Sequence, residues 1–160
     1  MWSKVGQSGT EGRRPPLLLG QYEHTIDDKN RLTLPARFRE AFADGVVVTR
    51  GIDPCLAVYT REGWDDFVAS RLADLDQFSR EARQMRRFLF STGTEAELDK
   101  QGRVTLPGSL LKRAGLARDV VVAGVGDFLE VWDRAAWQTQ QDDVEGRAEV
   151  VAERLAARER

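Results

Sequence analysis

Asp27-Asp28-Lys29-Asn30-Arg31-Leu32-Thr33-Leu34-Pro35 stands 72 residues ahead of Asp99-Lys100-Gln101-Gly102-Arg103-Val104-Thr105-Leu106-Pro107. Both stretches read Asp-x-x-x-Arg-(Leu/Val)-Thr-Leu-Pro, and self-similarity at such a period marks a chain built from copies of one supersecondary unit. Beyond the prolines the correspondence continues at an offset of 73: Val47-Val48 with Val120-Val121, Gly51 with Gly124, Leu56 with Leu129, Val58 with Val131, Tyr59 with Trp132, and Trp64 with Trp137. A single one-residue indel implies that whole units correspond, not one short motif.

Each copy is legible locally as β-β-α-β-β. Glu23–Ile26 and Glu95–Leu98 alternate as short strands, and Arg31–Leu34 and Arg103–Leu106 follow as second strands. The turn between them carries Asn30 in one copy and Gly102 in the other, the two residue types that best tolerate positive φ, so each turn presents its arginine beside a tight bend. Pro35 and Pro107 suit helix starts, giving helices over 35–42 and 107–114 that end near Asp44-Gly45 and at Gly115. The β-branched runs 46–49 and 120–123 then pair with 56–59 and 128–132 across glycine-containing turns.

Each half next enters a helix with a tryptophan. Trp64, Phe67, Val68, Arg71, Leu72 and Leu75 form a stripe near the 3.6-residue period, and a second helix over 80–90 leads to the next copy. At the C-terminus Val144, Ala148, Val151, Ala152, Leu155 and Ala156 make a narrow apolar seam on a charged helix, which packs on its own domain or on a neighbouring subunit. Residues 1–19 show little periodicity and are expected to be a disordered extension or a misassigned start, with Arg13-Arg14 within reach of a phosphate. The expected divisions are therefore 1–19, a first unit over 20–79, a bridging helix over 80–91, a second unit over 92–140 and a C-terminal helix over 141–160. A unit of this size buries too little apolar surface alone, so the fold class is α+β and β-rich, with two tandem units packed as a pseudo-two-fold pair.

Composition removes several classes of function. The chain has 160 residues, 41% of them hydrophobic and 31% charged, which is ordinary for a globular protein, and no apolar run long enough for a membrane span. A cytoplasmic protein is expected. One cysteine, Cys55, and one histidine, His24, leave no intrachain disulfide and argue against a zinc site or a Ser-His-Asp or Cys-His centre. Cys55 lies in a strand-like run and reads as a buried structural thiol. Phosphate-binding loop, dinucleotide fingerprint and nucleophile-elbow motifs are all missing, so neither a catalytic residue nor a cofactor nor a small-molecule substrate is expected.

The net charge of −2 counts mildly against nucleic acid, but it is uneven. Residues 127–160 hold nine acidic and five basic side chains, which leaves the preceding part net positive, with a cluster of Arg80, Arg83, Arg86 and Arg87 on one helix. The chemistry falls to Arg31 and Arg103, whose planar guanidinium can donate two hydrogen bonds to guanine O6 and N7. Lys29 and Lys100 can hold phosphates, while Asp27 and Asp99 brace the arginines or the turn. The same Asp–Arg spacing also serves a hairpin that is merely folding, and Thr-Leu-Pro reads as a strand end and helix start. Tyr59, Trp64, Trp132 and Trp137 can stack on single-stranded bases, but their repeated positions favour core packing.

Taken together, Leu19-Gly20 before a strand, Asp27-x-Lys29-Asn30-Arg31-Leu32-Thr33-Leu34-Pro35, Asp53-Pro54-Cys55-Leu56-Ala57-Val58-Tyr59, Asp99-x-x-Gly102-Arg103-Val104-Thr105-Leu106-Pro107 and Leu129-Glu130-Val131-Trp132-Asp133 with Trp137 resemble the MraZ family over residues 17–140. Either Asp-x-x-x-Arg half alone points only to the broader AbrB-like swapped-hairpin group. The resemblance implies a nucleoid-associated regulator, usually a repressor, that forms a ring of many subunits and binds guanine-rich direct repeats upstream of the division and cell-wall genes. It places DNA contacts on Lys29, Arg31 and Arg103, with Lys100 or Gln101 in the second copy. Asn30 replaces the family's usual glycine, and the N-terminal extension precedes the usual start. A ring reconciles a near-neutral chain with DNA, because several hairpins meeting tandem repeats gain effective concentration without new contacts. Two rival readings use the same fold: an antitoxin-like protein that wraps a partner with its C-terminal seam, and a scaffold whose arginines make intersubunit ion pairs.

Overall fold

The long β-branched runs of this chain meet in one sheet, and the two short motif strands stand apart from it. The computed structural model describes residues 17–158. In chain order the first copy gives β1 (Leu18–Thr25), β2 (Arg31–Thr33), α1 (Ala36–Arg39, continuing as a 3₁₀ turn through Phe42), β3 (Val46–Arg50) and β4 (Leu56–Thr60). Then come α2 (Arg61–Phe67, loosening into a π-turn through Leu72) and α3 (Arg80–Ser91). The second copy gives β5 (Thr94–Ala96), β6 (Arg103–Thr105), α4 (Gly108–Arg113), β7 (Asp119–Gly126) and β8 (Leu129–Asp133), followed by α5 (Arg134–Glu145) and α6 (Ala148–Arg158).

Local chemistry explains the junctions. Pro35 and Pro107 sit just before α1 and α4 with φ of −51° and −58° and extended ψ, so each ends a strand and admits a helix without spending an amide donor. Thr60, Ser79 and Asp133 cap α2, α3 and α5 by accepting from the amides of Gly63, Ala82 and Ala136.

Strand pairing is exchanged between the copies. The six-stranded antiparallel sheet runs β1-β7-β8-β4-β3-β5, so the first strand of each copy lies on the hairpin of the other. Strands β2 and β6 form a separate two-stranded ribbon, Arg31 opposite Thr105, Leu32 opposite Val104 and Thr33 opposite Arg103, and β2 also makes a single bridge from Leu32 to Ile26 of its own copy. Leu32 thus faces its own counterpart, Val104, while Arg31 and Thr33 each face the counterpart of the other, so the axis passes between Leu32 and Val104. The same symmetry recurs at the sheet centre, where Ala57 faces Glu130, its own counterpart, between the pairs Leu56–Val131 and Val58–Leu129. The expected pair of tandem swapped-hairpin units is the architecture of the chain.

A single apolar core fills the space between the sheet and the β2–β6 ribbon. Leu32, Leu34, Phe42, Val46, Val48, Val58, Val104, Leu106, Val120, Leu129 and Val131 are all fully buried, with Phe38 of α1 and Leu110 of α4 closing its sides. On the opposite sheet face α2 covers Val47, Ala57 and Tyr59, and Trp137 of α5 lies 5.8 Å from Trp132, so the four aromatics pack and do not form an open platform.

Several expectations change in detail. Val48 faces Val58 and Val122 faces Val131, which matches Val46-Val47-Val48 to Val120-Val121-Val122 at an offset of 74, not the expected 73. The cause is two compensating length changes. The segment from proline to strand is longer in the second copy, and the β7–β8 turn is shorter: Gly51 N donates to Cys55 O in one hairpin, Val125 N to Phe128 O in the other. Gly51 is therefore the counterpart of Val125 and not of Gly124. Strand β1 begins at Leu18, so residues 18 and 19, assigned to the extension, belong to the sheet. Residues 1–16, with the rest of that extension and Arg13-Arg14, lie outside the described residues. The C-terminal helix expected over 141–160 is two helices broken at Gly146, and its seam is open: Val144, Val151 and Leu155 are 42%, 38% and 57% exposed, so the seam does not pack on its own domain.

Because Leu32 lies on the exchange axis with no solvent exposure, Leu32→Ala is expected to destabilise the whole fold by about 2–5 kcal/mol, read as a lower urea midpoint with an unchanged denaturant slope.

Candidate nucleic-acid interface

The two turns are built the same way from a carboxylate outward. In the first, Asp27 Oδ1 accepts from the amides of Lys29 (3.0 Å) and Arg31 (2.8 Å), and Asp27 Oδ2 accepts from Arg31 Nε at 2.8 Å. In the second, Asp99 Oδ1 accepts from Gln101 N and Arg103 N, both at 2.9 Å, and Oδ2 accepts from Arg103 Nε at 2.7 Å. Backbone bonds close each loop: Asn30 N to Asp27 O and Gly102 N to Asp99 O, both 3.0 Å. Asn30 and Gly102 hold φ of +61° and +76°, and Asn30 is the one non-glycine residue with positive φ among the described residues.

Each turn is also fastened to the other copy. Leu34 N donates to Gly102 O at 2.9 Å and Leu106 N donates to Asn30 O at 2.8 Å, so the carbonyl of each positive-φ residue carries the partner strand. With Leu32 and Val104 facing the core, Arg31, Thr33, Arg103 and Thr105 share the outer face of the ribbon. Arg31 and Arg103 are diagonal neighbours there, about 7–8 Å apart at Cα. Their side chains keep 28% and 29% exposure despite the carboxylate contact.

The carboxylate grips only Nε. Both terminal nitrogens of Arg31 are without a protein hydrogen bond among the described residues, and Arg103 Nη2 has one long contact at 3.5 Å to Gln101 Oε1. A guanidinium held by one edge keeps its other edge for a ligand with paired acceptors. Lys29 and Lys100 are exposed near the turns and pair with no carboxylate there. They are not counterparts: Lys29 matches Gln101 in the hydrogen-bond pattern, and Lys100 matches Asp28.

Backbone amides first, then the arginine side chain, hold both Asp27 and Asp99 below the ordinary carboxylate value. His24 is also lowered, by burial and then by the charge of Arg39, while burial pushes the Cys55 thiol far upward, consistent with an inert structural cysteine. Arg39 is the residue that sequence reasoning missed. It is exposed, its Nε donates to Leu34 O at 3.1 Å, and it lies against Gly102 of the other copy. The available signal was its counterpart, Leu111, an apolar residue at the matching motif position. The cavity of about 600 Å³ on the far side of the sheet, lined by Tyr59, Phe67 and Phe128 among others, contains none of the hairpin residues.

Two β-β-α-β-β copies that exchange their first strands around a shared two-stranded ribbon define a tandem AbrB-like swapped-hairpin protein. The MraZ family model, described as "MraZ protein, putative antitoxin-like", matches residues 17–88 and again residues 89–158. The chain belongs to the MraZ family. Among its relatives, a protein of Moorella thermoacetica named "Transcriptional regulator MraZ" is 43% identical over 139 residues, covering 87% of this chain and 96% of the relative. Relatives of the same name from Roseiflexus castenholzii and Ligilactobacillus salivarius are each 42% identical, covering 88% and 87% of this chain and 97% and 96% of their own lengths. No helix among the described residues is long and apolar enough to cross a membrane.

Lowered folded-state values mean that the clamps stabilise the fold fully above the ordinary carboxylate range and lose that contribution as pH falls through the folded values. Comparing wild type with Asp27→Asn/Asp99→Asn in urea is expected to show a stability gap at pH 7 that narrows below about pH 4.

Proposed function

We propose that the chain is a sequence-specific double-stranded DNA-binding transcriptional regulator, and that Arg31 and Arg103 read bases while Lys29 and Lys100 hold phosphates. The observation that carries this reading is the outer face of the β2–β6 ribbon, where two arginines are clamped at Nε with their terminal nitrogens left for a ligand. A two-stranded ribbon fits the major groove of B-DNA, and a guanidinium presenting two donors matches guanine O6 and N7. Asp27, Asn30, Asp99 and Gly102 fix the direction of those donors in advance, so little side-chain freedom is lost on binding.

In this reading the chain acts as a homo-oligomeric ring in the cytoplasm, on the nucleoid, repressing the division and cell-wall gene cluster from guanine-rich direct repeats in its own promoter region. The near-neutral chain supports the multivalent part: with a formal net charge of −2, one copy has little long-range attraction for DNA, whereas several ribbons on tandem sites bind together. A second reading, an antitoxin-like protein or scaffold acting through protein partners, draws on the open seam of α6, where Val150, Val151 and Leu155 lack a cover within the chain.

Arg31→Ala and Arg103→Ala are each expected to weaken specific binding by about 1–3 kcal/mol per engaged site and to relax base preference, measured by titrating a duplex from the upstream region. Lys29→Ala is expected to weaken all sequences alike and to reduce the slope of log affinity against log salt by about 1. Native mass of Arg31→Ala separates the readings: an intact oligomer that has lost DNA supports the regulator, and a dissociated one supports the scaffold. A stoichiometric small protein co-purifying with the tagged chain supports the antitoxin-like alternative.

A further inference from the structure

The ribbon sits on a pseudo-two-fold axis, yet its two turns differ at three matched positions and the helices behind them differ as well. Asp28 matches Lys100, Lys29 matches Gln101, Asn30 matches Gly102, and Arg39 matches Leu111. Leu111 is buried in the core at 7% exposure, whereas Arg39 is exposed and runs back across the strand end to donate to Leu34 O at 3.1 Å. Its destination is the second turn. A Cβ built on Gly102 would fall 2.6 Å from Arg39 Cδ and 2.9 Å from Arg39 Cζ, so the guanidinium occupies the space that a side chain at 102 would take. In the first turn the corresponding space is filled by Asn30 itself, whose Nδ2 lies 3.6 Å from a Cβ built on Gly108.

Charge follows this asymmetry. The clamped pairs Asp27–Arg31 and Asp99–Arg103 cancel equally in both turns. Of the remaining groups, Asp28 and Lys29 cancel on the first turn, while Lys100 and Arg39 both add positive charge to the second. Arg39, Lys29 and Lys100 all lack a carboxylate within ion-pair distance among the described residues.

We propose that Arg39, delivered from the first copy onto the Gly102 turn of the second, is a third arginine of the DNA interface, and that the second hairpin is therefore the stronger phosphate anchor of the two. This rests on the DNA-binding reading above and deepens it. A two-fold ribbon with equal anchors would sit on a site equally well in either direction; unequal anchors give a single chain a preferred orientation. Sites repeated in one direction suit such a reader, whereas palindromic half-sites suit a symmetric one.

The test uses the full chain, a labelled duplex of guanine-rich repeats from its own upstream region and a random duplex of equal length, titrated at several salt concentrations with melting followed in parallel. Arg39→Leu, which installs the counterpart residue, is expected to weaken both duplexes about tenfold and to lower the salt slope by about 1, with little change in melting temperature. Gly102→Asn keeps a residue type that holds φ of +61° at the matching turn but fills the seat of Arg39, and is expected to lose binding to a similar extent with Arg39 still present. Wild-type affinity and salt slope in either variant overturns the proposal. So does full recovery in Arg39→Gln, which keeps a donor for Leu34 O without the charge and would assign Arg39 to turn support alone. If Arg31→Ala and Arg103→Ala also bind normally, the DNA reading itself has failed; if they abolish binding while the Arg39 and Gly102 variants do not, only the unequal anchor falls.

Discussion

Everything in this molecule depends on the exchange of backbone partners between its two copies. While Asp27 N to Arg31 O and Asp99 N to Arg103 O tie each motif strand to its own copy, three residue pairs of β2 with β6 and two flanking carbonyl contacts, at Asn30 O and Gly102 O, hold the ribbon together across the copies. Those contacts are possible because positive φ turns the two carbonyls toward the neighbouring copy. The sheet repeats the arrangement on a larger scale, with β1 laid on β7 and β5 on β3, so the core belongs to the pair of copies and to neither alone. A motif whose conformation is fixed by the other half of the chain has little freedom to drift. That rigidity is what a base-reading side chain needs from its scaffold.

In the proposed reading the aspartates serve folding and recognition together. Each carboxylate satisfies two amides that the tight turn leaves unpaired, and its second oxygen takes the arginine by one edge. The folding role and the recognition role of the Asp-x-x-x-Arg spacing, which compete when only the motif is considered, are compatible once the atoms are assigned. The carboxylate uses Nε; the terminal nitrogens point the other way around the guanidinium plane.

Much of this is legible in the amino-acid sequence. The repeated Asp-x-x-x-Arg-x-Thr-Leu-Pro stretch marked the copies, and asparagine and glycine marked the turns. What stayed hidden was whatever depends on partners distant in sequence. The offset of 73 between Val47 and Val120 looked natural because three consecutive valines give no internal marker, and only the pairing of Val48 with Val58 and of Val122 with Val131 resolves it. Arg39 escaped because a charged residue near a helix end ordinarily faces water, and its seat on Gly102 is created by the other copy. The apolar spacing of the C-terminal segment marked a seam, but amphipathic spacing does not say what surface covers it, and the break at Gly146 divides the segment into two helices.

The pairing of β1 with β7 also has a consequence for biosynthesis. Leu18 meets Gly126 and Thr25 meets Asp119, so the opening strand waits until about a hundred further residues have left the ribosome before its partner exists. During that interval the nascent first copy has a hairpin with no ribbon mate and an apolar sheet half uncovered, and closing such distant contacts is slow. Cutting the chain between its copies would leave two fragments with the same unmet valence, each competent to pair with the other or with a second molecule of its own kind. Duplication within one polypeptide makes that meeting intramolecular, and it ties the appearance of the arginine face to completion of the chain.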